Sequence, residues 1–262
     1  MPELAPVDAI LAVDIGNTRV GLTICDDDGP RGTRRVLVAA PEQWREAIFD
    51  VWSESAKSRT RAIAVASVNP RITSEFCDVL EEVCDTIPLR VREDLPLPMK
   101  VVFDNADEVG VDRVCAAAAA FDRLQSACAV ASFGTAITID CVSADGEFLG
   151  GTILPGLDMS CEALNENTAA LPRVTPQKPT GTFGTTTESA INNGILFGAV
   201  GALREIVERF ATELGTWPPL VITGGNAPLI RDVAEFIDAI EPDLCLRGVA
   251  LAYKRAAEHA RR

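Results

Sequence analysis

The chain of 262 residues predicts an α/β fold built from two copies of one unit. One observation is the order of patterns in the first half, where three strand-like runs precede a helix, a strand and a second helix, an order typical of mixed layers. The other is a turn motif that occurs twice, at residues 14–24 and 132–140, with glycine in third place and a small hydroxyl residue behind it. Two such turns half a chain apart indicate two nucleotide-cradling units that face each other.

The first half is expected to combine a mixed sheet with amphipathic helices. Strands are predicted at residues 9–13, 20–24, 35–39 and 62–68, the last as a continuous apolar run that is typical of a strand buried on both faces. Apolar side chains recur at helical spacing after Pro41 and across residues 72–83. The alanine-rich residues 114–121 predict a third helix, since alanine has the highest helix propensity.

The second half is predicted to repeat this plan without a linker of biased composition. Strands are expected near Val130 and at residues 137–139, 148–154 and 220–222, and helical runs at 158–171, 187–213 and 249–261. The expected domains are therefore residues 1–124 and residues 125–262.

Composition and charge exclude several classes of protein. A formal net charge of -14 argues against nucleic acid and anionic membrane surfaces as partners, since both require clustered Lys and Arg. No run of about 18 apolar residues predicts a membrane span, and the amino-terminal residues lack the positive charge of a secretory signal. The eight cysteines form no C-x-x-C pair and there is one histidine, so a zinc site is rejected and buried free thiols are expected. These features together predict a cytoplasmic protein.

The first turn motif has the chemistry of a phosphate site. Gly16 lets backbone amides approach a phosphate, Thr18 adds a hydroxyl donor, and Asp14 could hold a hydrated Mg²⁺ beside the phosphates. An ordinary β-hairpin turn is the alternative. A second glycine turn, Thr223-Gly224-Gly225-Asn226, follows a strand and could admit the adenine or ribose of a nucleotide, although glycine pairs also occur in purely structural turns.

An acid and a base stand together in Gly110-Val111-Asp112-Arg113, at the start of the alanine-rich helix. Asp112 could accept the proton of a substrate hydroxyl as it attacks a γ-phosphate, and Arg113 could bind a substrate carboxylate through two parallel hydrogen bonds. The structural alternative is an aspartate favoured by the helix dipole beside a surface arginine. Residues 184–187 precede a long helix and suit either an anion or simple helix capping.

These segments, in this order, resemble the type III pantothenate kinases of the acetate-kinase, sugar-kinase, heat-shock and actin superfamily. The resemblance covers nearly the whole chain and rests on several stretches at once: residues 14–18, 66–70, 110–113, 134–136, 150–156, 163–172 and 223–227, together with Thr187. It implies two RNase-H-like (actin-like ATPase) halves with mixed sheets and a cleft between them, and a homodimer. The implied reaction is ATP-dependent phosphorylation of pantothenate to 4'-phosphopantothenate, the first step towards coenzyme A.

The resemblance also implies roles for individual residues. Asp112 matches the catalytic base, and a monovalent cation, K⁺ or NH₄⁺, is expected beside ATP and Mg²⁺. The ATP-binding positions are Asp14, Ile15, Gly16, Asn17, Thr18, Arg19, Val20, Gly21 and Thr135, with Asp14 also reaching Mg²⁺ through water. The pantothenate-binding positions are Phe103, Gly110, Val111, Asp112, Arg113 and Thr187.

Three positions depart from the family pattern. Ser132 stands where the family has the aspartate that binds the monovalent cation, Phe103 stands for a tyrosine, and Thr185 stands for a basic residue often found there. All three remove polar or charged groups from the expected site. The alternative hypothesis is therefore a non-catalytic or regulatory paralogue that keeps the fold. A kinase for a related hydroxy acid is a third possibility, with Phe103 reshaping the pocket.

Overall fold

The computed structural model describes residues 4–261, which form two compact units. The first unit contains the chain up to Arg123 and again from Asp243, and the second unit is Leu124–Pro242. The predicted domains, residues 1–124 and 125–262, differ from these units in the last helix, which packs on the first sheet.

Ten strands in the described residues form two five-stranded sheets of one topology. They are β1 (Ala9–Ile15), β2 (Arg19–Asp26), β3 (Gly29–Leu37), β4 (Arg61–Ser67), β5 (Pro88–Arg90), β6 (Cys128–Phe133), β7 (Ala136–Val142), β8 (Phe148–Pro155), β9 (Leu220–Thr223) and β10 (Ala239–Ile240). The orders are β3-β2-β1-β4-β5 and β8-β7-β6-β9-β10. In each sheet the first three strands pair antiparallel and the last two join in parallel, which confirms the predicted duplication.

Seven helices accompany the sheets in the described part of the chain. They are α1 (Trp44–Ser53), α2 (Pro70–Cys84), α3 (Val111–Leu124), α4 (Leu157–Glu166), α5 (Thr187–Leu214), α6 (Ala227–Arg231) and α7 (Leu244–His259). Among them, no helix is long and apolar enough to cross a bilayer. All eight cysteines are free thiols, and six of them are buried, as expected from the sequence.

Alternation along β1 decides which side chains face the site. Leu11, Val13 and Ile15 point into an apolar cluster with α1 and α2, whereas Ile10 and Ala12 point into a second cluster with α3 and α7. Because successive side chains of a strand point to opposite faces, Asp14 lies on the same face as Ile10 and Ala12. Asp14, a candidate ATP- and Mg²⁺-binding residue, is thus carried to the side of the sheet on which α3 begins.

The second unit is organised around the long helix α5. Its apolar side chains pack with alternate residues of β6, among them Ala131 and Phe133, so Ser132 faces the other side of that sheet. Residues 167–186 form no regular structure, and two buried asparagines of α5 hold them. The Asn192 side chain accepts from the amide of Gln177 and donates to its carbonyl, both at 2.9 Å, and Asn193 donates to the carbonyl of Gly181 at 2.8 Å.

Several element boundaries differ from the predicted ones. The helical run expected at residues 158–171 ends at Glu166, because the side chains of Asn167 and Thr168 bond back to the carbonyls of Ala163 and Leu164 and so satisfy the last turn. The last helix begins at Leu244, five residues earlier than expected. Strands β5 and β10 were not predicted, since each is only two or three residues long. The helix expected after the Thr223–Ala227 turn is the short α6.

Candidate active site

The first turn motif links β1 to β2 and presents a short exposed loop. The amide of Gly16 donates to the carbonyl of Arg19 at 3.0 Å, which closes the turn, and Asn17, Thr18 and Arg19 are exposed. Two further contacts fix it from outside: the amide of Val38 donates to the Thr18 carbonyl at 2.9 Å, and the Asn69 side chain donates to the Gly16 carbonyl at 3.3 Å. The loop is therefore held on both flanks and can present backbone amides to an anion.

Asp14 is partly buried beside this turn, and its environment opposes ionisation. Its backbone pairs with Gly21 of β2 and Ala66 of β4. Burial, followed by the negative charge of Asp112, raises the pKa of Asp14 to about 7, while a hydrogen bond from the Cys245 thiol and the charge of Arg35 act in the opposite direction. Two carboxylates that repel each other are thereby brought to one face of the first sheet, as expected if both serve the same ligand.

Asp112 occupies the first turn of α3, as predicted. Its Oδ1 accepts a hydrogen bond from the Arg113 amide at 2.9 Å, and the Arg113 amide also lies 3.2 Å from the Gly110 carbonyl. Burial raises the pKa of Asp112 above its ordinary value, against the lowering effect of the Arg113 amide and charge. A carboxylate with a raised pKa and a partly exposed position has the properties of a general base.

Gly110 makes room for the Asp112 carboxylate. A Cβ atom at residue 110 would lie 2.5 Å from Oδ1 of Asp112, closer than non-bonded atoms approach. The glycine of the predicted substrate segment is therefore needed for the geometry of the acid that follows it two residues later.

Ser132 lies in a row of three hydroxyl residues on the second sheet. It pairs directly with Thr138 of β7 and with Thr223 of β9, and directly paired residues point to the same side of a sheet. This row lies on the face opposite the apolar cluster of α5. The position expected for a cation-binding carboxylate is thus lined by neutral hydroxyls from its own sheet.

The second turn motif is built like the first and is joined to the predicted glycine turn. The Gly134 amide donates to the Ala136 carbonyl at 3.1 Å, which corresponds to the Gly16 bond of the first copy, and Thr135 is exposed. The Asn226 amide donates to the Phe133 carbonyl at 3.1 Å. Gly224 adopts a φ of 98° and packs against the Phe133 backbone, where a Cβ would clash. The structure therefore brings the two glycine-bearing turns of this unit together.

The other two residues predicted to bind pantothenate, Thr187 and Phe103, are both exposed. Thr187 is the exposed first residue of α5, whose amino-terminal end is capped by Thr186 and Ser189 in a reciprocal capping box. Helix capping, the alternative considered for residues 184–187, is thus present, and the capping residue is Thr186, the neighbour of Thr187. Phe103 lies in the loop before α3 and exposes 37% of its surface.

Sequence reasoning assigned no role to three supporting side chains of the first unit. The hydrogen bond of Asn69 to Gly16 and that of Cys245 to Asp14 join segments far apart in the sequence. Arg92 donates to carbonyls of residues 106, 107 and 109, immediately before the segment of Asp112. The motif at residues 66–70 did signal Asn69, but no pattern indicated the other two.

Known proteins of one family are similar to this chain along almost its entire length. Residues 10–209 match the sequence profile of the family described as Type III pantothenate kinase. Among curated relatives, the type III pantothenate kinase of Anaeromyxobacter sp. (strain K) is 35% identical over 255 residues, covering 94% of this chain and 99% of the relative. That of Dehalococcoides mccartyi (strain CBDB1) is 32% identical over 259 residues, covering 97% and 98%.

Solved structures confirm the predicted fold class. A Campylobacter jejuni protein assigned to the Baf family of transcriptional activators superposes with a TM-score of 0.61 at 20% identity, covering 94% of this chain and 98% of the other. The activator of 2-hydroxyisocaproyl-CoA dehydratase from Clostridium difficile, solved with bound ADPNP, gives 0.53 at 13% identity, covering 97% and 96%. At these identities the likeness concerns the actin-like fold alone.

Proposed function

This chain belongs to the type III pantothenate kinase family, a family of ATP-using phosphotransferases, and we propose that it phosphorylates the primary hydroxyl of pantothenate. The products would be ADP and 4'-phosphopantothenate. The observation that supports this most directly is Asp112, a partly exposed carboxylate of raised pKa that is followed at once by Arg113.

In the proposed reaction Asp112 removes the proton of the substrate hydroxyl. The oxygen then forms a bond to the γ-phosphorus as the bond between that phosphorus and the β,γ-bridging oxygen breaks, and ADP leaves. Arg113 would hold the pantothenate carboxylate, with Gly110 and Val111 beside it, because a guanidinium binds carboxylates through a planar pair of donors. Phe103 and Thr187 are proposed as further pantothenate contacts.

The turns supply the proposed nucleotide site. The backbone of residues 15–21 and the hydroxyl groups of Thr18 and Thr135 would hold the phosphates of ATP, since both turns expose their hydroxyl residue. Phosphoryl transfer depends mainly on positioning and on charge stabilisation, which favours turns fixed by flanking hydrogen bonds.

Asp14 fits a magnesium ion held through water. Mg²⁺ is usually bound by one or two carboxylates together with waters and substrate phosphates, and Asp14 provides such a carboxylate beside the first turn motif. The ion would neutralise phosphate charge when bound. A cation near Asp14 would also favour its ionised form, which burial and Asp112 disfavour in the protein alone.

A strong monovalent-cation site does not fit the second sheet. K⁺ at the position of Ser132 would meet the neutral hydroxyls of Ser132, Thr138 and Thr223 from this sheet in place of a carboxylate. We therefore propose that K⁺ or NH₄⁺ affects this kinase less than expected from the family pattern, and we assign no catalytic step to that ion.

The decisive experiment is a coupled assay of ADP release with and without pantothenate, run in sodium, potassium and ammonium salts. Pantothenate-dependent turnover of similar rate in all three supports both the kinase and the weak cation dependence. Ser132→Asp should then introduce a preference for potassium. Binding of ATP and pantothenate by calorimetry, with no turnover in any salt, would instead favour the non-catalytic paralogue.

We also propose a homodimer, since one face of α5 is open. Gly194, Phe197, Gly198 and Gly201 recur at helical spacing on that face, all are exposed, and nothing lies within 4 Å of a Cβ built on any of the three glycines. Small residues permit close approach of a second helix. In analytical ultracentrifugation, Gly198→Leu should be monomeric where the wild type is dimeric, and an unchanged mass would argue against this interface.

The cytoplasmic location stays a prediction.

A further inference from the structure

Arg92 is the centre of a contact network that connects β5 to the beginning of α3. Its Nη1 donates to the Asp107 carbonyl at 2.8 Å, and its Nη2 donates to the carbonyls of Ala106 and Val109 at 3.0 and 2.7 Å. All three acceptors belong to the 3-10 turn Ala106–Glu108 and the residue after it. The guanidinium thus gathers the carbonyls of one turn, as a planar fork of five donors can and a single ammonium group cannot.

The backbone of Arg92 is held in a conformation that disfavours any side chain. Its φ is 84°, in the left-handed region that glycine normally occupies. The tight turn around it is closed by bonds from the amide of Arg92 to the carbonyl of Leu95 at 2.6 Å and from the amide of Leu95 to the carbonyl of Arg90 at 2.9 Å. An arginine kept in a strained position by a fixed turn indicates that its side chain has a task.

The clamped turn leads directly into the catalytic segment. Val109, the last acceptor, is buried and precedes Gly110, whose carbonyl lies 3.2 Å from the Arg113 amide. That same amide donates to Asp112 Oδ1. A displacement of the Val109 carbonyl would therefore move the first turn of α3 and, with it, the Asp112 carboxylate.

We propose that Arg92 is a positioning residue for Asp112, which fixes residues 106–109 and through them the start of α3. The proposal rests on the assignment of Asp112 as the base of the proposed kinase. Arg92 touches neither reacting group, and its effect passes through the backbone of the segment that it clamps.

The test compares Arg92→Gly, Arg92→Ala and Arg92→Lys. Glycine removes the clamp but relieves the φ of 84°, so Arg92→Gly should be at least as stable to heat as Arg92→Ala, which loses the clamp and keeps the strain. Asp85→Gly is the matched control, because Asp85 also has positive φ, 50°, at the remote end of α2. Asp85→Gly relieves similar backbone strain and changes no contact of the catalytic segment, residues 110–113.

Two measurements decide the matter. Hydrogen exchange of peptides covering residues 104–110 should become faster in all three Arg92 variants and stay at the wild-type rate in Asp85→Gly. Turnover should fall by on the order of ten- to a hundred-fold with the KM for ATP unchanged, because a small misplacement of a catalytic group is that costly.

Unchanged exchange at residues 104–110 in Arg92→Gly would overturn the proposal, whatever the activity. A turnover loss accompanied by faster exchange throughout the first unit would also overturn it, since that result assigns Arg92 to general stability. Exchange requires no substrate, so the clamp is tested even if wild-type protein shows no pantothenate-dependent turnover, an outcome that would instead contradict the proposed function.

Discussion

The side chain of Asn69 donates a hydrogen bond to the carbonyl oxygen of Gly16, 3.3 Å away, and so joins the beginning of α2 to the first turn motif. Asn69 is itself buried and fixed, because its amide donates to the Ser67 hydroxyl at 3.1 Å. The Val68 amide adds a bond to the Ile15 carbonyl at 3.0 Å. The motif at residues 66–70 thus supports the proposed phosphate turn from behind.

Loss of this support should weaken nucleotide binding. Asn69→Ala removes the donor to Gly16, and since one hydrogen bond contributes about 1 kcal/mol, the KM for ATP should rise roughly five-fold while kcat changes little. Asn69→Asp is the sharper variant, because a carboxylate has the same shape but cannot donate to a carbonyl. Initial rates at varied ATP concentration check this, and an unchanged KM in both variants would show that the turn holds its shape unaided.

Replacement of the proposed base should stop chemistry without preventing binding. Asp112→Asn keeps the size of the side chain and removes its ability to take a proton, so turnover should fall by about 10²- to 10⁴-fold. Calorimetry should still detect binding of ATP to Asp112→Asn. A variant with the wild-type rate would mean that another group accepts the proton, and a variant that binds no ATP would mean that Asp112 serves the nucleotide.

The pH dependence of turnover should reflect the environment of Asp112. Its pKa is raised by burial, and a general base works only when deprotonated, so activity should be lost on acidification at a pH above the ordinary aspartate value of 3.8. The measurement is kcat across the acidic and neutral range in wild-type protein. The same limb should persist in Asp14→Asn if that variant retains activity, and its disappearance there would assign the titration to Asp14.

Asp14 should make the ligand-free protein less stable as pH rises. Its pKa is about 7 in the folded chain against an ordinary value of 3.8, so the folded state holds the proton through a window in which the unfolded state has released it. Stability is therefore lost as pH increases between these values. Asp14→Asn cannot ionise, and its melting temperature relative to wild type should be higher above this window than below it.

Each kcal/mol of this change in unfolding free energy moves the melting temperature by about 2–4 °C for a protein of this size. Asp78→Asn, on the exposed side of α2, is the control for removal of one negative charge. An equal difference between Asp14→Asn and wild type at both ends of the window would show that Asp14 is well solvated.

A methyl group at residue 110 should displace the base. The Cβ of Gly110→Ala would lie 2.5 Å from Asp112 Oδ1 and 3.6 Å from Cδ of Arg113, so the carboxylate must shift. Turnover should fall by on the order of 10²-fold. Gly181→Ala is the matched control, because nothing lies within 4 Å of its Cβ. Equal rates in the two variants would mean that the Asp112 position tolerates the shift.

Much of the architecture could be predicted because it follows from local patterns. The continuous apolar run predicted β4, and the high helix propensity of alanine predicted α3. The two turn motifs predicted the duplication, which the matching strand orders confirm. The short strand β10 carries too few residues for any periodicity. The assignment of α7 to the first sheet could not be predicted either, since helix periodicity says which face is apolar but not which sheet covers it.

The candidate site divides in the same way. Asp14, Asp112 and Arg113 were proposed from the sequence because each lies in a turn or helix-start motif that resembles one of the family, although the helix dipole alone also favours an aspartate at a helix start. Arg92 was not, because its importance depends on a φ of 84° and on carbonyls some fifteen residues further along, neither of which leaves a mark in the sequence. The neutral row of Ser132, Thr138 and Thr223 likewise required the strand register.

The return of α7 to the first sheet has a consequence for synthesis on the ribosome. The apolar cluster that receives Ile10, Ala12 and Val111 also contains Leu246, Val249 and Ala250, which are translated only after the whole of the second unit. At translation rates of about 5–20 residues per second, the nascent first sheet waits roughly ten seconds with that face uncovered. The first unit, although its synthesis starts first, can therefore complete its core only when the last helix has been made.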